Sequence, residues 1–135
     1  TDLAVTWPNP GILGAIVELD EHALDPLGLA YPLAAHLEPV RPDQPGRAKL
    51  LDPVWMAADY GPAEVEPSDE NTAQVRTAQR ALACGALAER LAASRAPLTV
   101  ERFWQNLTGA FTRTGVRIPV DPVAAEQRFC RPTDT

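Results

Sequence analysis

The chain has 135 residues, 45% of them hydrophobic and 22% charged, with a formal net charge of −6. That length supports one core rather than two, and the hydrophobic share excludes wholesale disorder. The negative balance argues against nonspecific binding to nucleic acid, and no apolar run is long enough to predict a transmembrane span.

The charge is unevenly placed. Residues 1–67 hold ten of the fourteen prolines and eleven acids against three basic residues (Arg41, Arg47, Lys49), a local charge of −8. Residues 68–135 hold seven acids and nine arginines, a local charge of +2. Eleven arginines against one lysine, with abundant alanine and proline, fit a GC-rich bacterial coding bias. The N-terminal TDLAVTWPNP has neither the basic nor the apolar region of a secretory signal, so a cytoplasmic location is expected. Under that expectation the two cysteines, Cys84 and Cys130, are reduced thiols, although a bridge between them is conceivable.

In chain order, residues 2–7 read as a short strand closed by Pro8-Asn9-Pro10, and Gly11 to Leu19 as a buried strand. Five prolines between 26 and 45 leave room only for a turn of helix at 33–37 and for extended backbone at 38–42. Asp52-Pro53 is an N-cap followed by proline at the first helical position, which predicts a helix over 53–60 ending at Gly61-Pro62. The same dipeptide recurs at Asp25-Pro26 and Asp121-Pro122, the latter opening a short helix to about Arg128.

Ser68 with Asp69 and Glu70 predicts a helix start, and the pattern runs on to about Ser94. On that helix Val75, Ala78, Leu82 and Ala86 share one face while Cys84, Leu87 and Leu91 lie nearly opposite, as on a central core helix. Thr99 is a second N-cap. After it, Val100, Phe103, Trp104, Leu107, Ala110 and Phe111 fall within an arc of about 120°, a stripe expected to be buried, with Gly115 at the end. Val116, Ile118 and Val120 alternate with Arg117 and Pro119 as a short edge strand.

The expected fold is therefore α+β and mainly helical. Two antiparallel core helices (about 69–94 and 100–114) are joined by short strands to a proline-rich extended N-terminal half. Residues 1–135 form a single domain, an acidic wrapping segment (1–67) on a helical body (68–135).

No catalytic constellation, cofactor motif or phosphate-binding loop is visible. Glu18, Asp20 and His22 would share one face of a strand and form the densest set of possible metal ligands. His36 reads as a half-buried turn residue. Trp55-Met56 and Phe103-Trp104 are the large apolar groups most useful to a partner, although a core role is the favoured one for them; Trp7 sits among prolines where self-burial is harder, and Trp7, Trp55 and Met56 are the partner-contact candidates. The leading expectation is a small accessory or structural subunit of a bacterial assembly. It would act by protein–protein interaction in a homo- or hetero-oligomer, with no cofactor, no nucleic acid and no membrane. The alternative is a small metal-dependent enzyme or ligand-binding domain using the Glu18–Asp20–His22 cluster; a self-assembling component is a third class.

Overall fold

The computed structural model describes residues 4–6, 15–16, 22–40, 49–61 and 70–131. Among these the chain is mainly helical. Strand β1 (Ala4–Thr6) pairs in parallel with β2 (His22–Leu24), in the register Ala4 to His22. Six helices follow: α1 (Pro32–Ala35), α2 (Pro53–Tyr60), α3 (Glu70–Leu82), α4 (Gly85–Arg95), α5 (Val100–Thr114) and α6 (Pro122–Phe129).

The capping chemistry behaves as the sequence implies at three starts. Asp52 accepts a hydrogen bond from the Val54 N–H at 2.8 Å, and Asp121 from the Ala124 N–H at 3.0 Å. Thr99 Oγ1 accepts from the Arg102 N–H at 3.1 Å. Asp25-Pro26 behaves differently. The buried Asp25 carboxylate accepts from the backbone N–H groups of Leu27 (2.9 Å), Leu29 and Ala30 (3.0 Å), closing a turn rather than opening a helix. Gly28 sits in that turn at φ +82°, where an added Cβ would lie 2.7 Å from the Ala34 backbone.

The core gathers Leu24, Tyr31, Leu33, Leu37, Leu51 and Trp55 from the first half with Ala78, Ala81, Leu87, Ile118 and Ala125 from the second. Helix α3 is its centre, packed against α2 and α6. Small buried residues on α3 (Ala78, Ala81) permit that close approach. The Trp55 indole N–H donates to the Val120 carbonyl at 2.8 Å, so even its polar atom is satisfied inside.

Several expectations are corrected. The helix expected over 69–94 is two helices, broken at Ala83-Cys84, with Gly85 opening the second at φ +50°. An added Cβ at Gly85 would lie 2.6 Å from the Phe129 carbonyl oxygen, so a side chain cannot enter there without a shift. The two opposed apolar faces read on one helix are thus single faces of two helices. The cysteines are not reduced: Cys84 and Cys130 form a disulfide that ties the α3–α4 junction to the end of α6. The strand expected at 116–120 is one isolated bridge, Leu37 to Ile118. Within 11–19 only Ala15 and Ile16 are described, and they are helical rather than extended. The helix start at Ser68 lies outside the described residues.

Helix α5 differs most from expectation. None of its residues is buried, so the 100–114 helix is not a core helix.

His36 holds the Leu37–Ile118 bridge in place. Its Nδ1–H donates to the Val116 carbonyl at 3.0 Å. Burial lowers its pKa below the ordinary value of 6.5, assisted by the positive charges of Arg90, Arg117 and Lys49, while the bond to Val116 opposes the shift. A lowered folded value means that the folded chain favours neutral His36. That contribution to stability is complete above the unfolded value and is lost as pH falls through the folded one. Thermal midpoints are accordingly expected to fall between about pH 7.5 and pH 5.5, above the range in which carboxylates titrate. The loss should be smaller in His36→Gln; an equal slope in wild type and variant would show that another group is responsible.

Candidate functional site

Four elements converge on a second polar feature. Tyr31 precedes α1, Asp59 and Tyr60 end α2, and Arg95 ends α4. His22 opens β2. The Asp59 carboxylate, 4% exposed, receives both Arg95 guanidinium nitrogens, at 2.7 Å and 2.5 Å, and the Tyr31 hydroxyl as a third donor. A carboxylate held this way by a planar fork is fixed in charge and orientation.

Tyr60 stands over this ion pair, with the Arg95 Cζ 5.5 Å from its ring centroid. The His22 ring lies 4.8 Å from the Tyr60 ring, tilted by 49°, and Tyr31 lies 6.1 Å away. Tyr31 is buried, Tyr60 half-buried and His22 exposed. Burial raises the Tyr31 pKa well above the usual phenol range, and the bond to Asp59 adds to it, so Tyr31 remains a proton donor. Burial also raises Tyr60. The bond to Asp59 raises Arg95 and keeps it charged.

The cluster thus offers a partly open aromatic ring, an exposed imidazole and a fixed guanidinium. These are groups that pack against C–H faces and hydrogen-bond hydroxyls, a combination suited to a polyol. Asp59 itself is wholly engaged. Replacing Arg95 with Met should cost about 2 kcal/mol, because the nearly buried carboxylate would keep only Tyr31. Urea unfolding of the variant measures this; no change would mean that water already compensates Asp59.

The residues singled out from sequence fall differently. His22 belongs to this cluster, whereas Glu18 and Asp20 lie outside the described residues. Among the described residues no group of three or more His, Cys, Asp or Glu is placed to hold a metal. Trp7 also lies outside them. Trp55 is fully buried and Met56 is partly buried against the core. Tyr31, Asp59, Tyr60 and Arg95 were not singled out. Asp59-Tyr60 ahead of Gly61-Pro62 was a local hint, but Asp59 lies 28 residues from Tyr31 and 36 from Arg95, and only the fold joins them.

Residues 1–127 match the model of the AftB family C-terminal domain. The chain belongs to that family. It is also 38% identical over 119 residues to the Terminal beta-(1->2)-arabinofuranosyltransferase of Mycobacterium tuberculosis (strain ATCC 25618 / H37Rv). The match covers 85% of this chain and 19% of that relative, so the chain spans about a fifth of the relative's length. No solved structure matches.

Membership in this family overturns the reading as a small accessory subunit. The expectations of a cytoplasmic location and of no membrane association fall with it. They rested on the start of the sequence and on the lack of a long apolar run, features of this stretch of chain alone.

Proposed function

We propose that the chain is the C-terminal domain of an arabinofuranosyltransferase acting outside the cytoplasm. In this reading residues 1–135 form one unit whose task is to hold the arabinofuranosyl acceptor, not to make the glycosidic bond. The observation that carries the reading is the family match over residues 1–127, together with 38% identity to a transferase of that specificity.

Three structural features support it. The Cys84–Cys130 bridge suits an oxidising compartment. The His22–Tyr60–Arg95 surface has the chemistry to bind a furanose ring. Among the described residues the buried Asp25 and nearly buried Asp59 carboxylates are already committed, Asp59 to Arg95 and Tyr31, and Asp25 to three backbone N–H groups. Neither is available as a general acid or base.

The test is a titration of the isotope-labelled chain with an arabinofuranosyl oligosaccharide, followed by amide and side-chain NMR. Shifts should concentrate at His22, Tyr60 and Arg95, be lost in Tyr60→Leu and persist in Tyr60→Phe. An unchanged spectrum at millimolar sugar would end the acceptor-holding assignment.

A further inference from the structure

The ion pair beneath Tyr60 has an inside and an outside. The Arg95 side chain is 38% exposed and that of Asp59 4%, so the cation is the water-facing member and the anion lies behind it. Each terminal nitrogen of Arg95 donates to one Asp59 oxygen, and its remaining N–H groups have no partner among the described residues. The buried Tyr31 hydroxyl donates to the same carboxylate. Turning the guanidinium away would leave a nearly buried carboxylate short of donors, so its plane is held.

The same pairing sets the charge of the surface. Arg95 and Asp59 act on both phenols with opposite sign, and together they carry no net charge. A guanidinium without a counter-charge beside an aromatic face is a site for a carboxylate or a phosphate. With Asp59 behind it, the guanidinium keeps its outward N–H donors while most of its attraction for an anion is cancelled. An anion would still lose hydration on approach, whereas a neutral hydroxyl needs only the donors.

We propose that Asp59 makes the His22–Tyr60–Arg95 surface select an uncharged, hydroxylated ring over an anionic one such as a uronic acid or a phosphorylated sugar. This role rests on the sugar-binding reading above and adds to it the residue that sets its charge preference. Asp59 acts through Arg95 and is a positioning residue: nearly buried and fully bonded, it touches no ligand itself. Selection is a difference of two affinities, and Asp59 enters both. For a neutral ring it holds the donors in one plane. Against an anion it sets a like charge one side chain away, which, partly screened by water, weakens binding by about fivefold.

The experiment compares two probes that differ by one charge: an arabinofuranosyl oligosaccharide, and the same oligosaccharide with its terminal primary alcohol oxidised to a carboxylate. Each is titrated into the isotope-labelled 135-residue chain at one pH, with affinities read from shifts at His22, Tyr60 and Arg95. Wild type is expected to bind the neutral probe at least about fivefold more tightly. In Asp59→Asn, which keeps the shape and an acceptor for Tyr31, that preference should shrink by about fivefold or reverse, and added salt should restore part of it. Tyr31→Phe removes a donor to Asp59 but no charge, and should keep the wild-type preference. Wild type binding the carboxylate probe as tightly as the neutral one would overturn the proposal without any variant having to fold. An unchanged preference in Asp59→Asn, or an equal shift in Tyr31→Phe, would overturn it too. In those cases neutral binding persists and the specificity role alone is lost; if neither probe binds wild type, the sugar-binding reading fails and takes this role with it.

Discussion

Reduction of the Cys84–Cys130 bridge, or its replacement by serines, is expected to lower the unfolding free energy by about 4 kcal/mol. The bridge closes a loop with a sequence separation of 46, and the lost restriction on the unfolded chain grows with the logarithm of that length. A typical domain of this size is stable by only about 5–15 kcal/mol, so the loss is a large share of the whole. The position adds to it. Cys84 sits at the break between α3 and α4, and Cys130 follows α6, so the bridge also fixes Gly85 against the Phe129 carbonyl. Urea unfolding with and without reductant measures the effect. The midpoint should drop and the denaturant slope should rise, because the unlinked chain exposes more surface when unfolded. Identical curves would show that the bridge is absent or contributes nothing.

The second large effect is expected at Trp55. Truncation to Ala should cost about 3–5 kcal/mol, the range for emptying a large aromatic site in a packed core. Trp55 is fully buried on α2, and its indole N–H is the partner of the Val120 carbonyl, so the substitution opens a cavity and strips a hydrogen bond. Trp55→Phe should fall between, since it fills most of the space but leaves Val120 without that donor. Thermal and chemical unfolding of the two variants gives the order. A loss below about 1 kcal/mol for Trp55→Ala would mean that the site collapses around the smaller side chain or stays open to water.

Local signals in the sequence carried most of the helix placement. Asp52-Pro53, Thr99 and Asp121-Pro122 mark helix starts because the cap and the first turn are within a few residues of each other. Asp25-Pro26 shows the limit of that signal. The same dipeptide closes a turn where Gly28 adopts positive φ and the carboxylate finds three nearby N–H groups. The merged 69–94 helix has a similar origin, because the alanine-rich pattern runs on through Gly85, and the close approach to Phe129 that marks the break is distant in sequence.

Periodicity identified the apolar face of α5 correctly but could not say what covers it. A helical stripe reports a side that avoids water, and the assumption that this side faces the same molecule was the error. The Tyr31–Asp59–Tyr60–Arg95 cluster was illegible for a different reason. Each member is an ordinary residue at a helix or turn boundary, and its meaning arises only when α2, α4 and the turn before α1 meet. Function was least legible of all, because no catalytic or cofactor motif is visible along the sequence.

Steady-state kinetics of the arabinofuranosyltransferase proposed to carry this domain, with Tyr60→Leu, test the proposed acceptor-holding role most directly. The account predicts a raised KM for the arabinofuranosyl acceptor with kcat nearly unchanged, recovered in Tyr60→Phe. A fall in kcat at constant KM, or kinetics indistinguishable from wild type, would contradict it.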